Sequence, residues 1–204
     1  MTRSAQRFAA LITAAGASSR MGRPKALVAW RGAPLLLHQA RVLAKADGMG
    51  EIVAVLGGDA ARIRGEAASW TVTCDLRLVD NPRWAEGRST SLEAGVAALR
   101  TPPTDALLIV AVDQPLVPEV VAALLAAWAP DDRALVPSHA GRRGHPVMLA
   151  AALLPELARA SRHPEGLRDI VRAAAPREVE VASDLIHLDL NDPDAVARAH
   201  RQES

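Results

Sequence analysis

The sequence predicts an α/β fold, a mostly parallel mixed sheet with helices on both faces. Three observations carry this. Strand-like apolar runs alternate with helical stretches along the chain. The first run, Phe8 to Ile12, opens directly into a loop of small residues. The strand-like apolar run Ala106 to Val112 ends at the acidic Asp113, and in open α/β sheets ligands bind beyond the carboxyl ends of the strands. A length of 204 residues fits one α/β domain, expected over 1–204 with an ordered core from about residue 7 to 201.

The elements follow in order. Phe8–Ile12 reads as a short buried strand, Arg31–Pro34 as a turn and Leu35–Ala46 as a helix. Glu51–Leu56 is a second buried strand stopped by Gly57 and Gly58, and Asp59 suits the N-cap of a helix reaching about Ser69. Val72–Val79 reads as a strand, with Cys74 buried in it. A turn from Asp80 leads to a helix over Leu92–Arg100, capped by Ser89 or Thr90, and a capped helix start suits a polar or anionic ligand. Ala106–Val112 is the central strand. A helix over Pro118–Trp128 and a strand over Arg133–Pro137 come next, then a polar, Gly-rich loop over Ser138–Pro146. Val147–Leu149 precedes helices near Ala150–Ala160 and Pro164–Ala174. The tail reads as strands at Glu178–Val181 and Leu185–Leu188 and a last helix from Asp192–Pro193, with proline in its first turn.

Composition removes several function classes. Aromatics are scarce, with four Trp, one Phe and no Tyr, which disfavours a nucleic-acid binder that stacks bases on aromatic platforms. The net charge is +1 without a long block of one sign, so neither a nucleic-acid arm nor a membrane arm is expected. No apolar run approaches the roughly 20 residues of a membrane span. The single cysteine rules out an intrachain disulfide and suits a reducing cytoplasm. Arg3, Arg7 and the run Phe8–Ala15 imitate a secretion signal, but the run is at the short limit. Cleavage near Ala14–Ala17 would also destroy the loop that follows, so a cytoplasmic location is expected.

That loop carries the chemistry. Ala14, Ala15, Gly16 and Ala17 let backbone N–H groups approach a ligand and form an anion-binding nest. Ser18 and Ser19 add hydroxyls, Gly22 a second flexible point, and Arg20 and Lys25 positive charge suited to phosphate oxygens. Gly16 and Gly22 are separated by five residues and Lys25 has no Ser or Thr behind it, which excludes a P-loop; the dinucleotide fingerprint is absent. Asp113 supplies a lone carboxylate of the kind that holds Mg²⁺ together with substrate phosphates, or else caps the turn before Pro115. The six histidines show no zinc-site spacing.

The string Ile12-Thr-Ala-Ala-Gly-Ala-Ser-Ser-Arg-Met-Gly-Arg-Pro-Lys25 resembles the signature loop of the MobA-like nucleotidyltransferases that activate molybdopterin, and looks most like the molybdenum cofactor cytidylyltransferase branch. Asp113-Gln-Pro115 looks like that family's metal-binding Asp-x-Pro. Asp189-Leu-Asn-Asp-Pro-Asp194 resembles its C-terminal acidic string, which puts Asn191, with Asp189 as rival, at a second oxygen ligand. Asn191 and Asp192 are also good helix caps. Asn81, Gly87, Ser89 and Ser91 fall in the segment that surrounds base and ribose in the family, where Trp84 either packs or stacks. Arg142, Arg143, Gly144 and His145 resemble its acceptor-side Gly-His-Pro loop, with the arginines suited to a terminal phosphate and His145 to orienting substrate.

The resemblance implies a single Rossmann-like (GT-A-type) nucleotidyltransferase domain using Mg²⁺, with Mn²⁺ as a substitute, to transfer CMP from CTP to molybdopterin. Lys25, Arg20 and Asp113 are the implied catalytic residues. A xanthine dehydrogenase-type molybdoenzyme or its accessory protein is the implied partner. Ala15, where guanylyltransferases carry glycine, favours CTP over GTP. The alternatives are GTP, another phosphorylated acceptor, or a molybdenum cofactor carrier without turnover.

Overall fold

The computed structural model describes residues 7–16, 21–70 and 76–202, with the backbone alone at 193, 198 and 200–202. In chain order the elements are β1 (Phe8–Ala14), β2 (Ala29–Trp30), β3 (Ala33–Pro34), α1 (Leu35–Ala44), β4 (Met49–Leu56), α2 (Ala60–Ala67) and β5 (Leu76–Asp80). They continue with α3 (Arg88–Ala98), β6 (Ala106–Ala111), α4 (Pro118–Ala127), β7 (Ala134–His139), β8 (Arg142–Arg143) and β9 (Val147–Ala150). The chain ends with α5 (Leu154–Leu157), α6 (Leu167–Ala173), β10 (Arg177–Glu180) and α7 (Pro193–Gln202).

The strand order is β10-β7-β9-β6-β1-β4-β5, with β8 paired to β7, so β6 stands at the middle as its apolar run implies. The pairs β1–β4, β1–β6, β4–β5 and β10–β7 are parallel, and β9 runs antiparallel to both neighbours. Side chains alternate across β1. Ala10 and Ile12 join a core with Leu36 and Leu43 of α1, Ile63 of α2 and Val121 and Leu124 of α4. Ala9 and Leu11 face Leu92 of α3, Leu157 of α5 and Ile170 of α6. Helices therefore cover both faces. Gly95 lets α3 lie close on β1, since a Cβ there would fall 2.1 Å from Leu11 Cδ1. Trp30, Leu35, Leu190 and Ala199 form a smaller third cluster, which draws the C-terminal segment against the β2–β3 hairpin.

Four expectations need correction. Residues 150–160 are broken into a 3₁₀ turn at Ala151–Leu153 and the four-residue α5, not one helix. Leu185–Leu188 is not a strand. Asp184–His187 forms a 3₁₀ turn whose Ile186 carbonyl accepts from the His145 N–H at 2.9 Å, so tertiary support replaces a ladder. The helix expected from Leu92 starts at Arg88, after Gly87 at φ 127°, and neither Ser89 nor Thr90 caps it. Asp59 precedes α2 without a capping bond from its side chain. Cys74 lies outside the described residues.

Candidate active site

The loop expected to bind phosphate starts where β1 ends. Ala14 and Ala15 are buried, and Ala15 passes against the end of β4. A Cβ at Gly57 would sit 2.3 Å from the Ala15 carbonyl oxygen, so the loop can cross there only over glycine. Gly16 has open space around it, and Gly22 adopts φ +62°. Ala17, Ser18, Ser19 and Arg20 lie outside the described residues. After Pro24 the chain tightens into a 3₁₀ turn over Lys25–Leu27, across which the Arg23 guanidinium donates to the Leu27 carbonyl. The turn carries Lys25 to the carboxyl edge of the sheet.

There Lys25 Nζ lies 2.7 Å from Asp113 Oδ2 and 2.7 Å from Asn191 Oδ1. The Lys25 and Asp113 side chains are only 17% and 16% exposed, so the charges interact with little screening. The Val112 N–H donates to the Thr13 carbonyl at 3.0 Å, continuing the β1–β6 pairing up to Asp113. The Leu190 N–H donates to the Asp113 carbonyl at 2.8 Å, bringing Asn191 beside it. Asp189 turns elsewhere and accepts from Gln114 Nε2 at 2.7 Å. Asp192 accepts from the Ala195 N–H at 2.8 Å and caps α7. Two oxygens from distant parts of the chain thus converge on one cation. That hard-oxygen pair fits Mg²⁺ or Mn²⁺. Among the described residues no cluster of three or more His, Cys, Asp or Glu could hold a metal, so an ion here would need water and phosphate oxygens to complete its shell.

The segment from 81 to 91 is organised from within. Asn81 is 3% exposed; its Nδ2 donates to Thr90 Oγ1 at 2.9 Å and Ser91 Oγ at 3.2 Å, and its Oδ1 accepts from the Arg83 N–H at 2.9 Å. Asn81 and the buried Ser91 therefore knit the loop to α3, leaving Gly87 and Ser89 as its accessible candidates. Ser89 abuts the backbone of Gly166, where a Cβ would fall 2.3 Å from its Oγ. Trp84 packs on Gly58, where a Cβ would lie 2.8 Å from the indole.

Arg142 and Arg143 are exposed on β8, at the β7–β8 hairpin, and Arg143 Nε pairs with Glu178 of β10 at 2.7 Å. A Cβ at Gly144 would fall 2.5 Å from the Ile186 carbonyl oxygen. His145 stays partly open to the cleft, yet the surrounding protein desolvates its ring and holds its pKa below the ordinary value. The Asp189 and Asp113 carboxylates pull it back up, while His187 and Arg168 push it further down. The balance favours the uncharged imidazole. Three residues escaped the sequence reading. The exposed Arg168, just inside α6, is the weakest of the influences that lower the His145 pKa. Gln114 orients Asp189. Gln39 is a polar residue inside the apolar stripe of α1, and that misfit was its legible signal.

The sequence from residue 10 to 180 matches the model for the MobA-like NTP transferase domain. The chain belongs to the MobA-like NTP transferase family. Among its relatives, nicotine blue oxidoreductase of Paenarthrobacter nicotinovorans is 34% identical over 170 residues, covering 79% of this chain and 80% of that one. The molybdenum cofactor cytidylyltransferase of Escherichia coli K12 is 27% identical over 187 residues, covering 90% and 91%. The crystal structure of Rv0371c from Mycobacterium tuberculosis H37Rv superposes with a TM-score of 0.76 at 25% identity, over 97% of this chain and 100% of that one. A manganese complex of Rv0371c superposes with a TM-score of 0.71 at 25% identity, over 96% and 98%. As a MobA-like protein the chain is a nucleotidyltransferase in family and fold. No helix among the described residues is long and apolar enough to cross a membrane.

Proposed function

We propose that this protein transfers CMP from CTP to the terminal phosphate of molybdopterin, with or without bound molybdenum, releasing pyrophosphate and forming the cytosine dinucleotide. The observation that carries the reading is the meeting of Lys25, Asp113 and Asn191 at the carboxyl edge of the sheet, beside the loop that follows β1. The 27% identity to a cytidylyltransferase and the Ala15 loop support the choice of CTP.

The attacking group is an acceptor phosphate oxygen. With a second pKa near 6, a phosphate monoester is already largely ionised at neutral pH and needs no general base. The oxygen bonds to the α-phosphorus of CTP while the bond from that phosphorus to the bridging oxygen breaks and pyrophosphate leaves. Bringing two anions together is the main barrier, so positioning and charge neutralisation dominate. Lys25 supplies a fixed positive charge, and Arg20 and the loop N–H groups are assigned to the β- and γ-phosphates. Asp113 and Asn191 would hold Mg²⁺, or Mn²⁺, which offsets phosphate charge when bound. Gly87 and Ser89 line the base side. On the acceptor side, Arg142, Arg143, Gly144 and His145 are the groups facing the incoming phosphate.

The receiving partner in this reading is a xanthine dehydrogenase-type molybdoenzyme or its accessory protein, in the cytoplasm. GTP in place of CTP, another phosphorylated acceptor, and carriage of the cofactor without turnover are the rivals. The relative named nicotine blue oxidoreductase supports a second reading, redox turnover of a pigment. One assay separates these: pyrophosphate release with Mg²⁺, molybdenum-loaded molybdopterin and CTP, GTP or ATP in turn, with the visible absorbance of added nicotine blue followed in parallel. Turnover with CTP alone is expected. Turnover with GTP would reverse the base assignment, and a change in nicotine blue absorbance without pyrophosphate would favour the redox reading.

A further inference from the structure

We propose that Gln39 is a positioning residue for the Asp113 carboxylate, holding it in the orientation in which it binds a divalent cation with nucleotide. The proposal rests on the nucleotidyl-transfer reading above.

Gln39 is 0% exposed, on the face of α1 that packs on the sheet. Its neighbours one turn away, Leu36 and Leu43, both belong to the core. An apolar side chain would be the ordinary choice there. Instead, Gln39 Nε2 points at a cluster of carbonyl oxygens, 3.1 Å from Ala111, 3.2 Å from Val112 and 2.8 Å from Gln114. These carbonyls flank Asp113 on both sides. The carbonyl of Asp113 itself accepts from Leu190, so all four oxygens from 111 to 114 are engaged. The adjacent His38 reaches the Leu116 carbonyl at 3.0 Å, so α1 grips the same turn twice.

The grip is held at a cost. Gln39 Oε1 is buried and has no hydrogen-bond partner among the described residues. A buried orphan acceptor is unfavourable, and the amide cannot flip to relieve it without setting Oε1 against three carbonyls. That arrangement makes sense where the turn must not move. With its backbone fixed, the remaining freedom of Asp113 is its side chain, which meets Lys25 and Asn191. Groups that orient a metal ligand from behind commonly change metal affinity on removal about 10–100-fold.

The test is Mn²⁺ binding, read by electron paramagnetic resonance in the presence of CTP, in the full chain and in Gln39→Met. Methionine keeps the length of the side chain and removes the donors. The expected result is a roughly tenfold weaker Mn²⁺ dissociation constant, a matching rise in half-saturating metal in the turnover assay, and a KM for CTP within about twofold of wild type. Gln39→Glu is the second variant. Its protonated carboxyl donates one bond to the cluster and its carboxylate repels it, so Mn²⁺ binding should weaken more steeply with rising pH than in wild type. Wild-type Mn²⁺ affinity in Gln39→Met would overturn the proposal. So would loss of the fold in both variants, since the amide would then serve the core. Because metal binding is read directly, absence of wild-type turnover would count against the proposed reaction and leave this result to be judged separately.

Discussion

Lys25 Nζ lies 2.7 Å from Asp113 Oδ2, although 88 residues separate them in sequence. The pair joins the loop after the first strand to the end of the middle strand, and Asn191 closes the same point from the C-terminal segment. Removing the charge should therefore act on chemistry more than on folding. Lys25→Ala is expected to lower pyrophosphate release at least about 10²-fold, as for other groups that stabilise transition-state charge. The exposed Lys45→Ala should stay within about twofold. Equal losses in the two variants would contradict the assignment of Lys25.

The carboxylate and amide oxygens should separate by role. Asp113→Ala is expected to abolish metal-dependent turnover with far-ultraviolet circular dichroism unchanged, because its backbone contacts remain. Asn191→Ala should raise the half-saturating Mg²⁺ several-fold, whereas Asp189→Ala should do so less, since Asp189 is bonded to Gln114. Metal titrations of the three variants decide the order, and a larger effect at Asp189 would exchange the two assignments.

Close approach at the loop base gives a stability prediction. Gly57→Ala forces its new methyl onto the Ala15 carbonyl and should destabilise the protein by about 1–3 kcal/mol in urea unfolding, the usual range for overpacking. Gly65→Ala, on the exposed face of α2 with nothing within 4 Å, should instead stabilise by about 0.5–1 kcal/mol. If both behave alike, the crossing of the loop over Gly57 is not a tight contact.

Asp132 gives the pH dependence. Its carboxylate accepts from Arg177 at 2.9 and 2.6 Å and from the Ala129 N–H at 2.7 Å. The bonds to Arg177 hold its pKa below the usual carboxylate value despite burial. Stabilisation from this pair is therefore present above the unfolded-state pKa near 3.9 and is lost as pH falls through the lower folded value. Arg177 is half-exposed, so Asp132→Asn should cost only about 1 kcal/mol at pH 7. The gap from wild type should narrow below about pH 4, which denaturant titrations at pH 7 and pH 3 would show.

Much of this arrangement was written in local patterns. The apolar runs at Phe8–Ile12, Glu51–Leu56 and Ala106–Val112 marked three adjacent inner strands, β1, β4 and β6, because both sheet faces are covered. Lys25 and Asp113 were legible because each ends a short, chemically unusual string. Leu185–Leu188 misled because its apolar side chains serve packing, not a ladder: Ile186 enters the main core and backs Gly144, and Leu188 packs on the Trp30 cluster. Asn81 was expected in the base-side segment, but its inward amide network depends on Thr90 and Ser91 folding back on it. Gln39 is polar in an apolar stripe and still went unread, because its partners lie 72 to 75 residues on, and spacing does not reveal them. Gly166, just before α6, abuts Ser89 of α3, a contact between residues 77 apart that local sequence does not reveal.

The most direct test follows the label from CTP carrying radioactive phosphorus at the α position, with Mg²⁺ and molybdenum-loaded molybdopterin. The account predicts that label moves into the pterin product with one unlabelled pyrophosphate released for each CMP transferred, and that Asp113→Ala and Lys25→Ala abolish the movement. Label recovered as free CMP, or CTP left intact while the acceptor is consumed, would contradict it.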